Sequence, residues 1–328
     1  MKILIIHPEH NSNNVINDYQ SDLLLHGLRE LYGNDVVDYP GSWYLYKEQV
    51  SKKNFDTNNL WGKGFNIKNI LDNFNSIDRS DILNKIKKKY FNLIIFSSCR
   101  RSTKFINEAI KFNNKIVFVD GEDHPIIDLN LATKGLYFKR ELKEKKKNVL
   151  PISFAIPEKK ILRNITQKQK NILAPLIPGK IKTYLYNDEE DYNRMYQNSH
   201  FALTYKKVGW DCYRHYEILM NGCIPLFLDL ENCPEYSLTF LPKKLLLEIN
   251  QKFLKILSFE NPLNIYKKKF LTMERVKNYL KNILLRIKIN DIFFDDDQIL
   301  EYKSSLLKYS RTNLTTKNIA KYVIKNVQ

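Results

Sequence analysis

Short aliphatic runs alternate with amphipathic stretches through the first 120 residues, and this alternation limits the possible folds more than any other feature. Residues 2–6, 35–39, 92–97 and 115–120 have the apolar, partly β-branched character of buried strands. Between them, residues 18–33, 81–90 and 102–112 carry helical spacing. The first of these ends at a glycine and the last opens on a Ser/Thr start signal. Strand, helix, strand, helix in this rhythm predicts a parallel sheet covered by helices.

The second half repeats the style. Strands are predicted at 149–156, 200–205 and 224–230, with a helix over 212–221. From residue 250 onward Lys-rich helical faces dominate. The charged run at 143–148 is the best linker candidate, a solvated helix end being the other reading. At about 100–200 residues per domain, the expectation is two α/β units, 1–148 and 149–328. Residues 41–66, with Trp43, Trp61 and three glycines, find no place in the pattern.

Composition narrows the function classes. No apolar run approaches the roughly 18 residues that span a bilayer, and four aliphatics after Lys2 are too few for a secretory leader. The four cysteines form no CxxC pair and are expected to be reduced thiols of a cytoplasmic protein. Lys and Arg number 53 against 36 Asp and Glu, a net +17 that suits nucleic acid or an anionic membrane surface. Only 11 of the 53 are Arg, the residue favoured for bidentate phosphate or guanine recognition. The 20 Tyr and 18 Phe do not interleave with basic residues in any known nucleic-acid-binding module. A basic nucleic-acid-binding protein without catalytic activity is therefore the alternative, not the first reading. The Lys-rich C-terminal helices fit either peripheral membrane association or ordinary solvated faces.

Ligands of open parallel sheets bind beyond the C-terminal ends of the strands. Three such ends carry reactive side chains: His7-Pro8-Glu9-His10, Ser97-Ser98-Cys99-Arg100-Arg101 and Asp120-Gly121-Glu122-Asp123-His124-Pro125. A general base is expected from Asp120, Glu122, Asp123, His124 or His7, although polar loops also use such residues to cap helices. No HExxH or repeated His/Cys pattern points to a metal. A Walker loop and a GxGxxG fingerprint are also missing.

The segment from Lys206 to Phe227 says most. A predicted strand ends near Lys206, a turn containing Gly209 follows, and Asp211 is placed to cap the next helix. Arg214 falls in the first helical turn, where free N–H groups and the helix dipole attract anions. Glu217 lies one turn deeper on the same side. This geometry suits a nucleoside diphosphate, with Arg214 and turn amides on phosphate and Glu217 on ribose hydroxyls. The same spacing equally describes a surface Arg–Glu pair worth a few tenths of a kcal/mol. Lys206 and Lys207, at the strand-to-turn junction, can neutralise a departing phosphate or simply face solvent. Lys139-Arg140-Glu141 reaches the cleft or decorates a helix, and His215 is expected to be packed or on the surface.

The run Tyr213-Arg214-His215-Tyr216-Glu217-Ile218-Leu219-Met220-Asn221-Gly222-Cys223-Ile224-Pro225 resembles the donor-site motif of GT-B glycosyltransferases, particularly the exostosin-like branch. Residues 187–227 also resemble poorly characterised glycosyltransferase-like proteins of bacteria and large viruses, as do residues 18–40 more weakly. The resemblance implies two Rossmann-like parallel-sheet domains facing a cleft, the first binding the acceptor and the second a nucleotide-sugar. It implies Arg214 on phosphate and Glu217 on ribose, with Lys206, Lys207, Gly209 and Asp211 around them. It implies no cofactor beyond the donor itself, and an acceptor hydroxyl on a glycan, a lipid-linked saccharide or a modified nucleic acid. Many retaining members carry a further Glu where this chain has Gly209, so the two-glutamate pattern is incomplete and an inactive scaffold of the same fold is a further reading.

Overall fold

The computed structural model describes residues 1–8, 17–53, 59–112, 115–165, 171–257 and 296–327. Within these, the first sheet takes strands β1 (Ile3–Ile6), β2 (Val36–Tyr39), β3 (Leu93–Phe96), β4 (Ile116–Asp120), β5 (Leu136–Lys139) and β6 (Val149–Pro151). They lie in the order β2-β1-β3-β4-β5-β6, every pair parallel. Ile3, Leu4, Ile5 and Ile6 are all buried, as expected of a strand covered on both faces. The helices between are α1 (Tyr19–Tyr32), α2 (Lys47–Lys53), α3 (Ile82–Lys87), α4 (Ile106–Phe112) and α5 (Leu129–Lys134). The order reverses between β1 and β3, and that reversal opens a crevice at the carboxyl edge of the sheet.

The second sheet has three parallel strands, β7 (Asn171–Leu173), β8 (Ser199–Thr204) and β9 (Ile224–Phe227), in sequential order. Helix α6 (Glu189–Gln197) precedes β8 and α7 (Tyr213–Met220) joins β8 to β9. Helices α8 (Lys243–Leu257), α9 (Asp296–Asn313) and α10 (Thr316–Val327) follow. The molecule is thus an α/β, Rossmann-like protein with a six-strand and a three-strand parallel sheet. Buried apolar residues of both sheets join in one continuous cluster that holds Ile3 and Phe138 as well as Phe201 and Leu226.

Several expectations change. The segment 143–148 connects two neighbouring strands of the first sheet, so the chain crosses to the second sheet only after Pro151. The strand expected over 149–156 is short and belongs to the first sheet. Helix α4 starts at Ile106 rather than Ser102, because Phe105 adopts a left-handed φ of 66° just before it. Strands β5 and β7 have no counterpart in the sequence reading. Glu9 and His10, and residues 258–295 of the expected helical tail, lie outside the described residues. No helix among the described residues is long and apolar enough to cross a membrane.

Local signals explain α1. Asp18 accepts hydrogen bonds from the N–H groups of Gln20 (3.0 Å) and Ser21 (3.1 Å), and Gly33 closes the helix at φ 54°. Its other partner is remote: α10 crosses α1 at Gly27, and a Cβ there would overlap the carbonyl of Thr316. His26, beside it, makes a 2.8 Å bond to the Thr316 hydroxyl, and burial lowers its imidazole to about 3. In a helix without such a neighbour Gly→Ala is stabilising by about 0.5–1 kcal/mol. Here Gly27→Ala is expected to destabilise by about 1–3 kcal/mol through overpacking. A urea midpoint that stays put or rises would show that α10 does not rest on α1.

Candidate functional site

Between the carboxyl edges of the two sheets lies a cavity of about 670 Å³. From the first unit it is walled by Asp18 and Tyr19 at the start of α1, Arg101 after β3, Asp123 after β4 and Phe154 after β6. From the second come Tyr184 and Tyr186 after β7, Lys207, Gly209 and Asp211 after β8, and Arg214 and Glu217 on α7. Each sheet therefore offers the edge where parallel sheets bind ligands, and the reversal point between β1 and β3 opens onto the same space. Arg101 is paired there with Asp18 and, at 3.1 Å, with Glu122.

The first turn of α7 is open to an anion. Cys212 sits at its cap position and makes no side-chain capping bond. Arg214 is buried, donates from Nη2 to the Tyr184 hydroxyl (2.9 Å) and lies against that ring, while its Nε has no protein partner. A guanidinium does not lose its proton in proteins, so an unpaired N–H held in this wall is a standing demand for an acceptor. The buried Tyr213 hydroxyl also has no protein partner, and its ring stacks at 4.5 Å on that of Tyr19, which lines the same cavity.

Glu217 is held from two sides. It accepts from the Tyr192 hydroxyl at 2.7 Å and from the Asn66 amide at 3.2 Å. Burial pushes its carboxyl above the usual range, against those hydrogen bonds and the attraction of Arg214. Two acceptor positions are in use, so lone pairs remain for a ligand hydroxyl. Asn66 belongs to the stretch the sequence left unplaced. The segment from Leu60 to Phe65 lines the cavity, and Lys63 donates to the Tyr186 carbonyl at 3.0 Å. Gly62, Lys63, Gly64 and Asn66 all take positive φ, which for Lys63 and Asn66 costs energy and is the kind of strain that gathers at functional sites. The Gly62-Lys63-Gly64 run was the available signal, but nothing local says which unit it reaches.

The other expected residues divide. Asp123 is half-exposed in the cavity and accepts from Arg140. Asp120 does not reach it: its carboxylate is fully buried and bonded to Lys139 (2.8 Å), Arg100 (2.8 Å) and Tyr137 (2.5 Å). Burial works to raise that carboxyl, but Lys139, Tyr137 and Arg100 outweigh it and hold it below the usual range. Asp120 thus stands in a buried ion pair away from the cavity. His124 turns back on its own loop, its Nδ1 accepting from the Ile126 N–H at 3.3 Å, and does not line the cavity. Glu122 is engaged by Arg101 and also stays off the lining. His7 is buried at the end of β1, again outside the cavity wall. Lys207 lines the cavity, whereas Lys206 extends over the Trp210 ring at 5.3 Å from its centre. His215 is packed, bonded to Thr204 (2.8 Å) and the Trp210 carbonyl (2.9 Å).

Arg140 and Glu141, for which the sequence left the cleft or a helix surface open, follow directly after β5 and are buried at the cleft. Arg140 donates to Gly121 O, Asp123 and the Asp211 carbonyl, and its guanidinium lies over Phe154 at 4.6 Å from the ring centre. Glu141 accepts from the Trp210 N–H (3.0 Å) and the Asp211 N–H (2.9 Å). That carboxylate fills the space beside Gly209, where a Cβ would come within 2.6 Å of it. The glycine is thus required by a close approach across the cleft. Asp211 is not the helix cap it resembled; its Oδ2 accepts from the Phe154 N–H at 3.0 Å. Among the described residues no group of three His, Cys, Asp or Glu is arranged to hold a metal ion.

No family model, no curated protein and no solved structure matches the chain. The chemistry of the cavity must therefore speak for itself.

Burial pushes the Asp211 carboxyl up to about 7, with Arg140 pulling it down and Glu141 pushing it further up. A carboxyl raised above its unfolded value favours the folded state at low pH, and that advantage disappears as pH climbs through the folded value. Asp211→Asn removes the ionisation and keeps an acceptor for Phe154. Its melting temperature relative to the wild type is expected to rise steadily between about pH 4 and pH 7. A difference that is flat across that window would mean the carboxyl titrates normally.

Proposed function

We propose that this chain is a glycosyltransferase of the GT-B type, moving a sugar from a nucleoside-diphosphate donor to an acceptor hydroxyl. One observation carries the reading: the unpaired Arg214 Nε at the uncapped start of α7, one turn before Glu217, in a cavity between two sheet edges. Arg214 and the first-turn amides suit the diphosphate. Glu217, with spare lone pairs, suits the ribose diol. Tyr19, Tyr213 and Phe154 pack on one another in the cavity wall and give it an aromatic lining.

In the proposed step the acceptor oxygen attacks the anomeric carbon while the bond from that carbon to the phosphate oxygen breaks. The nucleoside diphosphate leaves with the bonding pair through an oxocarbenium-like transition state. Arg214, Lys207 and the helix amides stabilise the charge that develops on the phosphate. For an inverting transfer, Asp123 is the member of the 120–124 loop that reaches the cavity to take the acceptor proton. The first unit then holds the acceptor and the second the donor. No metal or further cofactor enters this scheme.

Titration of UDP, GDP, CDP, ADP and dTDP by calorimetry tests the reading. One of them is expected to bind and to raise the melting temperature by mass action. Arg214→Ala should weaken that binding by at least about tenfold, the scale of one charge-assisted hydrogen bond. If no nucleotide binds while DNA binds in a salt-dependent manner that Arg214→Ala leaves intact, the basic nucleic-acid-binding alternative takes its place.

A further inference from the structure

Large apolar side chains that stand exposed are few, and they are not scattered evenly. Among the described residues five of the nine lie on segments that also line the cavity: Ile181 (86% exposed), Leu185 (75%), Val208 (75%), Trp61 (64%) and Tyr184 (40%). They come from three separate segments that the fold ties together. Tyr205, at the end of β8, bonds the Pro178 carbonyl at 2.8 Å. The Gly179 N–H reaches the Tyr184 hydroxyl at 3.2 Å, and Lys63 reaches the Tyr186 carbonyl at 3.0 Å. Trp61 and Tyr184 themselves line the cavity, Leu185 stands between the lining residues Tyr184 and Tyr186, and Val208 stands between Lys207 and Gly209.

Lysines are interleaved with these tips. Lys182 lies next to Ile181, and Lys206 and Lys207 precede Val208, all three exposed. Exposed aliphatics alone would fit many partners. Aliphatics and tryptophan set among ammonium groups, on a chain of net charge +17, match one surface chemically: an apolar interior beneath a layer of negative headgroups. A tryptophan at such a boundary is also favourable, since its ring is apolar and its N–H stays wet.

We infer that the rim formed by Ile181, Tyr184, Leu185, Val208 and Trp61 docks on an anionic membrane and holds the cavity mouth at the lipid surface. Ile181, Leu185 and Val208 enter the headgroup boundary, and Lys182 and Lys206 meet the lipid phosphates. The donor cavity then opens toward acceptors anchored in that membrane, a class that includes lipid-linked saccharides. This last step rests on the glycosyltransferase reading; the docking itself does not.

Sedimentation with phosphatidylcholine vesicles, with and without phosphatidylglycerol, tests the inference on the full chain. The wild type is expected to partition onto the anionic vesicles and to shift its tryptophan emission to the blue, a shift that Trp61→Phe removes. The combined variant Ile181→Ser, Leu185→Ser, Val208→Ser keeps every charge, yet should lower partitioning by at least about tenfold because the buried apolar area is lost. Lys182→Glu with Lys206→Glu should lower it as well and reduce its salt sensitivity. These side chains are exposed, so an unchanged melting temperature checks that the variants fold. A triple variant that partitions like the wild type would mean that bulk charge alone does the binding, and the inference would fall. So would a wild type that ignores both vesicle types. Nucleotide titration keeps the two proposals separate: nucleotide binding without vesicle binding removes the rim's role and spares the donor site, and the converse does the opposite.

Discussion

The contact between Arg140 and Glu141 at the end of β5 and the turn before α7 governs how the two sheets face each other. Both side chains are buried, and each reaches backbone groups of the opposite wall: the Asp211 carbonyl for Arg140, which also holds Gly121 O on its own side, and the Trp210 and Asp211 N–H groups for Glu141. Neighbouring charges satisfy one another, with Arg140 at 3.2 Å from Glu141 and bonded also to Asp123. A pair built this way adds modest net stability, yet removing one member leaves a buried charge and costs about 3–5 kcal/mol. Its value is therefore positional. It fixes the start of α7, and with it Arg214, against the loop after β4 that carries Asp123.

A second tie runs from the other side. Asn66, projected from the first unit, donates to Glu217 and to Asn193, and its N–H reaches Glu189 at 2.9 Å. Asn193 in turn accepts from Asn221, which accepts from Gln197 at 2.9 Å. The acid of the proposed donor site is thus oriented by a chain of amides that begins in another part of the fold. Each amide satisfies the next, so the arrangement has few alternative geometries. Glu217 is thus the point where that amide chain meets the cavity wall.

These long-range ties also mark where the sequence ceased to be informative. Strands β1, β3 and β4 were legible because a doubly covered parallel strand is apolar along its whole length, and α1 because Asp18 and Gly33 are strong local end signals. The α7 segment was legible for the same reason, with Gly222 at φ 66° just beyond it. Strands β5 and β7 were not, since Leu-Tyr-Phe-Lys and Asn-Ile-Leu are too short and mixed to announce themselves. Asp211 has the composition and place of a helix cap, and nothing within ten residues says that Glu141, 70 positions away, already occupies that turn. The acids after β4 looked equivalent in sequence. What separates the locked member from Asp123 is the set of Lys139, Arg100 and Tyr137 that the fold gathers on Asp120.

The distribution of positive charge completes the physical account. Buried cations have individual partners: Lys139 has Asp120, Arg140 has Asp123 and Glu141, and Lys303 has the Ser199 carbonyl. Arg214 and Lys303 have only neutral oxygens as hydrogen-bond partners among the described residues, and Arg214 goes further, since beyond its bond to the Tyr184 hydroxyl one N–H is unspent. Glu217 does not neutralise it through any direct bond, being held instead by Tyr192 and Asn66. Placing a guanidinium in a low-dielectric wall without a carboxylate on it is costly. An anion arriving at the start of α7 would recover that cost, adding the helix amides and the uncancelled charge in a single contact. In the proposed donor site, that same imbalance is what would give a diphosphate its advantage over water.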